Sequence, residues 1–443
     1  MKRYPAYQKT ELPWLKEVPV TWQLIRNNQF LTERKEFVGK DASKYPLLSL
    51  TKQGVILRDV SSGKGKFPKE FDSYKVVEPS NAIFCLFDMD ETPRTIGISK
   101  YRGMITGAYD VFELSNINSR FFYYYYASLD DKKDLKPLYT GLRKTIGVET
   151  FLHAKMPVPS KEEQQQIVLY LDTKTAQIDC AIRGYERLVA LLEERKTAVI
   201  NEAVTKGVRR GIVTKESGVN WLDKIPQHWE MRYAKQLFAL RRDKAREDDE
   251  QLTSSQKYGI ISQQEFMERE GRRVTVVLKG EDILKHVEAG DFVISMRSFQ
   301  GGLEYSHVSG KISSAYVMLI PNHDLVYDRY FRWLFKSESY IRALQGTSDL
   351  IRDGQALRYA NFAKVYLPCI PLNEQKEIAD YIDMEVRRID NAMIPIAKQM
   401  ELLRERRTRL ISDVVTGQVD VCDVVVPDRE AQDDGDEYDG AGA

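Results

Sequence analysis

Few short stretches of this chain carry residue types that could do chemistry. The stretch FDMDETP places Asp88, Asp90 and Glu91 close together, and clustered carboxylates can hold a divalent metal. An acidic turn exposed to water is the commoner result of such a stretch. The stretch SSGKGK, which contains Lys64 and Lys66, approaches a phosphate-binding loop but lacks its first glycine and its final hydroxyl. A flexible basic turn is therefore the better interpretation.

Other catalytic signatures are weaker still. The triplets Glu33-Arg34-Lys35 and Glu194-Arg195-Lys196 look like the Glu-x-Lys part of a nuclease site, but such triplets are common by chance. The five histidines are dispersed, without the close spacing of metal ligands. The chain contains no Pro-Pro pair, so it lacks the Asn/Asp-Pro-Pro-aromatic loop of amino-methyltransferases. The sequence predicts no catalytic residue, no metal site and no cofactor in this chain.

Basic and glutamine-containing loops remain as candidates for binding nucleic acid. Arg and Gln form paired hydrogen bonds with guanine and adenine edges, and basic side chains contact phosphates. The loop MRSFQGG should point Arg297, Ser298 and Gln300 outward, while its two glycines allow close backbone approach to a ligand. The residues predicted to contact DNA are Lys64, Lys66, Arg143, Lys144, Arg272, Arg273, Arg297, Ser298, Gln300, Arg352, Gln355 and Arg358.

An internal repeat must position these loops. PVPSKEEQQQIVLYLDTKTAQID begins at Pro157 and aligns without a gap with PCIPLNEQKEIADYIDMEVRRID, which begins at Pro368. The stretch WLKEVPVTW likewise recurs as WLDKIPQHW. Each copy follows a block of strand-like and helix-like runs. The aromatic run FFYYYY could stack on bases, but its match to YFRWLF favours a packed helix face. The sequence therefore predicts the order domain, helix, domain, helix.

The repeated segments have apolar residues at alternating steps of three and four, which is typical of a coiled-coil seam. The predicted seam residues are Leu171, Ile178, Ile182, Tyr185, Val189 and Leu192, then Ile382, Ile389, Met393, Ile396, Met400 and Leu403. Because the second helix must return to the first, we expect an antiparallel pair with one domain at each end. The predicted ladder spans roughly 48 Å, about one turn of B-DNA or slightly more. Gly184 and Pro395 occupy equivalent positions, where a bend is expected.

Length and composition fit this plan. The chain has 443 residues, of which 42% are hydrophobic, and its net charge is +1. We expect an α+β fold with two similar α/β domains and two long antiparallel coiled-coil helices, related by a pseudo-twofold internal repeat. The predicted segments are a first domain at 1–156, a helix at 157–210, a second domain at 211–367, a helix at 368–422 and a disordered acidic tail at 423–443. Without a signal peptide or a long apolar run, the protein is expected in the cytoplasm.

This organisation resembles the specificity subunit of type I restriction-modification systems. The resemblance covers about residues 13–422, and its most specific parts are PLNEQKEIADYID and RTRLISDVVTGQVDV. It implies that each variable domain is a target-recognition domain, which reads one half of a bipartite, asymmetric DNA site. It further implies that the helices separate the two halves and recruit the other subunits.

The resemblance implies partners and excludes chemistry in this chain. The expected partners are double-stranded DNA, two adenine-methyltransferase subunits and motor-nuclease subunits, with no membrane. AdoMet, ATP and Mg²⁺ are expected on those subunits, so this chain would be non-catalytic. Two alternatives remain open: a stand-alone DNA-binding nuclease, and a homodimeric coiled-coil scaffold, which would not need two unlike domains.

Overall fold

The computed structural model describes residues 2–59, 70–271, 283–295, 298–347 and 358–426. The chain divides into two compact units: unit 1 comprises Met1–Tyr185 and Lys398–Ala443, and unit 2 comprises Glu186–Ala397. Each unit therefore contains one mixed domain together with part of both long helices. The predicted acidic tail lies outside the described residues from residue 427 onward.

The first copy of the repeat is rich in short strands. Its strands are β1 (Tyr7–Leu12), β2 (Leu15–Pro19), β3 (Gln23–Arg26), β4 (Leu31–Glu33), β5 (Leu48–Thr51), β6 (Gly54–Leu57), β7 (Lys75–Val77), β8 (Ala82–Phe84), β9 (Ile96–Ile98), β10 (Gly103–Ile105), β11 (Asp110–Leu114) and β12 (Lys155–Val158). Its helices are α1 (Ser119–Lys132), α2 (Val148–His153) and the long α3 (Lys161–Lys206). Short 3₁₀ turns occupy Asn27–Gln29, Gly39–Lys44 and Lys136–Leu138.

The second copy follows the same order. Its strands are β13 (Thr214–Val219), β14 (Leu222–Pro226), β15 (Glu230–Tyr233), β16 (Phe238–Leu240), β17 (Leu252–Ser255), β18 (Gly259–Ser262), β19 (Lys285–Val287), β20 (Phe292–Ile294), β21 (Glu304–Tyr305), β22 (Gly310–Ile312), β23 (Val317–Pro321) and β24 (Tyr366–Cys369). Its helices are α4 (Ala234–Leu237), α5 (Gln263–Glu270), α6 (Ser298–Gly301), α7 (Asp328–Leu334), α8 (Glu338–Gln345), α9 (Tyr359–Phe362) and the long α10 (Leu372–Val415).

The two domains have the same sheet topology. The four-stranded sheet has the order β4-β11-β8-β9 in unit 1 and β16-β23-β20-β21 in unit 2. The two-stranded pairs correspond as well: β1-β2 with β13-β14, β3-β12 with β15-β24, β5-β6 with β17-β18, and β7-β10 with β19-β22. The repeat seen in the sequence is therefore a repeat of the fold, and the predicted α+β class with an internal repeat is confirmed.

Aromatic side chains fill the core beneath each four-stranded sheet. In unit 1, Phe84 meets Phe122 edge-on, with 6.2 Å between ring centroids, and Phe121 and Phe122 are fully buried. In unit 2, Phe238 meets Phe331 edge-on at 5.2 Å. The run FFYYYY lies on α1 and faces this core, so the predicted packed helix face is confirmed.

The long helices run antiparallel where they meet within each unit. In unit 1, Arg407 of α10 pairs with Asp179 of α3 at 2.9 Å, and Gln166 donates a hydrogen bond to the carbonyl of Val421. In unit 2, Lys196 pairs with Asp390 and Arg209 pairs with Glu377, each at 2.7 Å. In both units a contact further along α3 or just past its end is matched by one further back along α10 or the residues after it, as an antiparallel pair requires.

The predicted seam residues lie on the covered faces of these helices. Five are buried: Leu171, Ile178, Ile182, Ile382 and Ile389. Seven are half-buried: Tyr185, Val189, Leu192, Met393, Ile396, Met400 and Leu403. Charged neighbours contribute ion pairs beside the seam, which is how coiled coils fix the pairing of their helices.

Proline and glycine help to set the ends of α3 inside the predicted range 157–210. Pro157 lies in β12, paired with Leu24 of β3, and α3 begins only at Lys161. The Ser160 hydroxyl accepts a hydrogen bond from the Glu163 amide at 3.2 Å, as an N-cap does. Gly207 has a φ of +78°, which few other residues adopt, and it ends α3. None of the helices in the described ranges has the length and apolarity needed to cross a membrane.

Candidate nucleic-acid interface

The repeated Glu-Gln pair fixes each domain to its helix. We call Glu163–Gln164 and Glu374–Gln375 the Glu-Gln clamps. In unit 1, the Glu163 carboxylate accepts hydrogen bonds from Trp22 Nε1 at 2.9 Å and from the Tyr4 hydroxyl at 2.6 Å. In unit 2, Glu374 accepts one from Trp229 Nε1 at 3.1 Å, and its other oxygen lies 2.7 Å from His228 Nε2. The clamp therefore ties the start of the helix to the Trp of the WLKEVPVTW or WLDKIPQHW repeat.

The glutamine of each clamp holds the segment that leads into the aromatic helix. Gln164 Oε1 accepts a hydrogen bond from the backbone of Asn118 at 2.9 Å, and Gln375 Oε1 accepts one from that of Tyr327 at 2.7 Å. Asn118 caps α1 and Tyr327 precedes α7. An unpaired buried amide is costly, so these bonds explain why glutamine occurs at both positions. The internal repeat of the sequence reveals the Glu-Gln pair but does not predict these contacts.

In unit 1, two loops at one end of the four-stranded sheet pack on each other. The turn after β8 contains Asp88 and Asp90, and residues 139–147 form a hairpin-like loop beside it. The amide of Asp88 donates to the carbonyl of Arg143 at 2.8 Å, and the amide of Ile146 donates to that of Leu86 at 2.8 Å. These backbone bonds make the two loops one surface.

Arg143 and Lys144 are held at this surface by the acidic turn. Arg143 pairs with Asp88 at 2.8 Å and its guanidinium lies over the Phe87 ring, while Lys144 pairs with Asp90 at 2.9 Å. Hydrogen bonds from these two cations lower the pKa of both carboxylates. The carboxylates considered as metal ligands are thus engaged by basic side chains. The Arg143 side chain remains 71% exposed, so it can still reach a ligand.

In unit 2, the equivalent turn follows β20 and differs from prediction at two points. The Ser298 side chain is fully buried and its hydroxyl accepts a hydrogen bond from the Ser295 amide at 2.9 Å, so the prediction that it points outward is wrong. A Cβ at Gly302 would lie 1.9 Å from the Phe335 carbonyl oxygen, and one at Gly301 would strike the Gln256 side chain. These glycines permit packing within the domain, whereas a ligand approach was predicted. Gln300 is exposed.

The remaining predicted DNA contacts have less structural description. Arg358 is exposed at the start of α9, where its backbone amide donates to Asn361. Lys64, Lys66, Arg272, Arg273, Arg297, Arg352 and Gln355 lie outside the described residues. They stay predictions.

The nuclease-like triplets take part in ion pairs on the domain surface and the coil. Lys35 pairs with Glu33 itself at 3.1 Å, and Arg34 bonds Glu36 and Glu113. Lys196 of the second triplet pairs with Asp390 of α10. These contacts give both triplets a structural role.

Known proteins resemble the chain in sequence pattern and in fold. The model of the type I restriction modification DNA specificity domain matches residues 40–182 and again 226–394. No curated protein sequence matches the chain significantly. A solved chain, from a study of complex assembly and conformational transition of the type I R-M system, is 13% identical, with 91% of this chain and 99% of that chain covered and a TM-score of 0.63.

Two further solved chains have lower TM-scores. The HsdS subunit from Thermoanaerobacter tengcongensis is 14% identical, covers 91% of this chain and 98% of its own, and has a TM-score of 0.48. The S subunit of a type I restriction-modification system from M. genitalium is 10% identical, with 89% and 96% covered and a TM-score of 0.33. At these low identities the similarity to solved structures indicates the fold alone, so the family of this chain is assigned from the family match. Because that match covers well over half of the chain, once in each copy of the repeat, the protein belongs to the type I restriction-modification DNA specificity family, whose subunits recognise DNA and are not themselves catalytic.

Proposed function

We propose that this subunit reads a bipartite, asymmetric DNA site, with one half-site assigned to each unit. One observation carries the proposal: both domains have the same sheet topology, while the loops at the ends of their strands differ in sequence and packing. Arg143 and Lys144 lie on the 139–147 loop of unit 1, and Gln300 lies on the turn after β20 in unit 2. A common scaffold with unlike loops is what reading two unlike sequences requires.

We further propose that base contacts by these loops specify the sequence, while basic side chains on phosphates provide register. The expected contacts are Arg and Gln to purine edges in the major groove. Methylation of an adenine inside a duplex requires that the base leave the stack, so the target would rotate into a partner's pocket. This chain would then hold the flanking DNA while another subunit acts.

The proposed partners are two adenine-methyltransferase subunits and, for cleavage, motor-nuclease subunits. AdoMet, ATP and Mg²⁺ belong to those subunits in this proposal, and the complex works on DNA in the cytoplasm. Exposed apolar side chains on both long helices support docking of other chains, because large apolar groups at the surface favour contact. Leu188 and Leu191 of α3 and Ile394 of α10 are 42%, 55% and 66% exposed.

The test is a selection from random DNA pools using this chain with its methyltransferase partner. Two conserved sequence blocks separated by a fixed unspecified gap are expected. Replacing Arg352 or Gln355 with Ala should relax one block only, by about 1 to 3 kcal/mol of base discrimination. A single continuous block would contradict the proposal, and equal loss at both blocks would assign the residue to folding or subunit binding.

We propose that the helices set the gap. Inserting seven residues after Leu192 and after Leu403 keeps the seam on one face and lengthens each helix by about 10.5 Å, or close to three base pairs. The selected gap should lengthen while both blocks stay the same. Three base pairs also turn the duplex by roughly 100°, so affinity should fall. An unchanged gap with intact binding would contradict this part of the proposal.

A further inference from the structure

A cleft of about 740 Å³ in unit 2 has more basic than acidic side chains in its lining. It lies between the β17–β18 turn, β21, α7 and α10. Its lining has five cationic side chains, Lys257, Arg329, Arg332, Lys336 and Arg387, against two carboxylates, Glu304 and Asp383. A concave surface with this excess of one charge concentrates anions.

Three of these cations already have carboxylate partners. Lys336 pairs with the buried Glu304, and Lys257 lies 3.4 Å from Glu270. Arg329 pairs with Asp383 and, at 2.8 Å, with Asp380. These ion pairs connect the walls of the cleft. The charges of Lys336, Lys257 and Arg329 are therefore largely neutralised by carboxylates of the protein itself.

The other two cations, Arg332 and Arg387, are exposed and have no carboxylate within ion-pair distance in the part of the chain that the structure describes. Arg332 lies over the Tyr305 ring, 5.2 Å from its centroid. His307 contacts the same ring, with 4.8 Å between centroids. Burial and the nearby Arg332 lower the pKa of His307. This wall therefore places an exposed guanidinium beside a histidine whose charged form is disfavoured, and a bound anion would favour that charged form.

The equivalent place in unit 1 keeps the docking contacts and lacks three of the cations. Asp172 binds both Arg120 and the Tyr124 hydroxyl, just as Asp383 binds both Arg329 and Trp333 Nε1. Aligned on these contacts, Arg332, Lys336 and Arg387 correspond to Tyr123, Ala127 and Ala176. Docking the aromatic helix on the coil therefore does not require the extra cations.

We propose that this cleft binds a phosphate group through Arg332 and Arg387, at one unit of the subunit only. A methyltransferase subunit that docks on each copy of the repeat would contact the same surface in both units. Because Arg332 and Arg387 occur in unit 2 only, they indicate a ligand that binds to one unit. The phosphate has two possible sources: the backbone of the DNA bound by unit 2, which rests on the proposed function, or a free phosphate-bearing molecule, which does not.

The experiment compares the full-length chain with the R332Q/R387Q variant, which removes both charges and keeps side-chain length. Calorimetry with inorganic pyrophosphate reports the free ligand. Anisotropy with a duplex that lacks any target sequence, repeated over a salt series, reports backbone contacts. Arg342→Gln is the matched control, because Arg342 is a 72% exposed arginine of the same unit outside this cleft. Thermal melts of each variant check that it is folded.

A loss of roughly tenfold or more in one of the two affinities supports the proposal. If the source is DNA, the slope of log K against log salt should fall by about two, with pyrophosphate unaffected. If the source is a free molecule, pyrophosphate binding should be lost at unchanged DNA affinity. Equal binding by the folded variant and the wild type in both assays overturns the proposal, as does a wild type that binds neither probe. Because the duplex carries no target, half-site reading is tested separately.

Discussion

Val76 and His286 occupy the same position of equivalent strands, β7 in unit 1 and β19 in unit 2. Val76 is 1% exposed and packs with Val38, Leu47 and Met104 in an apolar cluster. His286 is fully buried, with Nδ1 at 2.8 Å from Asp249 and Nε2 at 2.8 Å from Glu288. One backbone position is therefore filled by opposite chemistry in the two copies.

The Glu-Gln clamps show the opposite behaviour, because both copies keep the glutamate bond to a Trp side chain and the glutamine bond to the backbone before the aromatic helix. The clamp joins the start of each long helix to its domain. Val76 and His286 each lie in the interior of their own domain. A valine packed among apolar side chains and a histidine paired with two carboxylates are both compatible with burial. The difference teaches that the repeat maintains the junctions, while the interiors of the two domains have diverged.

The largest effect is expected at the clamps. Glu374→Ala should destabilise unit 2 by about 3 kcal/mol, because the indole N–H of the fully buried Trp229 then has no acceptor. Glu163→Ala should cost unit 1 about 2 kcal/mol, since Glu163 is half-buried and water can replace part of its role. Calorimetric melts that resolve the two units would measure both changes.

Glu377→Ala provides the control on the same helix. Glu377 is 46% exposed and pairs with Arg209, so its loss should change stability by less than about 1 kcal/mol. Equal effects of Glu374→Ala and Glu377→Ala would mean that the clamp does not stabilise the junction.

The second prediction replaces His286 of unit 2 with valine, the residue type at the equivalent position of unit 1. His286→Val should cost about 2 kcal/mol at pH 6, because Asp249 and Glu288 lose their shared partner. Burial lowers the pKa of His286, but the hydrogen bonds to Asp249 and Glu288 outweigh burial and raise it above 6.5. Hydrogen bonds to two acceptors require both ring N–H groups, so the charged form is the one stabilised.

The sign of the pH dependence follows from that raised pKa. The contribution of His286 is fully present below the unfolded value of about 6.5 and is lost as the pH rises through the folded value. Denaturant titrations from pH 6 upward should therefore show the stability gap between wild type and His286→Val shrinking. Unit 1, with Val76 at this position, should show no such trend, and a gap that stays constant with pH would contradict the charged-histidine interpretation.

The sequence predicted those features that depend on periodicity and repetition. The seam of α3 and α10, the antiparallel direction and the packed face of FFYYYY all follow from spacings that a helix must satisfy. Ser298 was mispredicted because its hydroxyl caps a turn, and turn geometry depends on backbone angles that side-chain type does not determine. The glycines at 301 and 302 were assigned to a ligand because the nearby carbonyl of Phe335 comes from a distant part of the sequence.

The third effect concerns DNA reading and compares one loop of each domain, the turn after β20 in unit 2 and the 139–147 loop in unit 1. Gln300→Ala should relax one position of the unit 2 half-site by about 1 to 2 kcal/mol if Gln300 contacts a base. Arg143→Ala should have a smaller effect on the unit 1 half-site, because Arg143 must first release Asp88. Asp88→Asn, which frees Arg143, should strengthen unit 1 binding. Selection from DNA pools with the methyltransferase partner measures all three, and a larger loss from Arg143→Ala would reverse the ranking.

The smallest effect lies on the long helices, where unit 1 has Gly184 and unit 2 has Pro395 at the equivalent position. A Cβ at Gly184 meets no atom within 4 Å, and its φ is not in the left-handed region, so Gly184→Ala introduces neither a clash nor strain. Alanine favours a helix by about 1 kcal/mol over glycine, which corresponds to a rise of about 2 to 4 °C in the melting temperature of unit 1.

Gly417→Ala is the contrasting variant in the same unit. Because φ at residue 417 is +72° and the new Cβ would lie 2.4 Å from Pro19, this substitution should lower the melting temperature of unit 1. If Gly184→Ala raises the melting temperature of unit 1 but weakens DNA binding, α3 must bend at residue 184 when the protein binds DNA, as Pro395 suggests for α10. Unchanged DNA binding would mean that Gly184 has no such role.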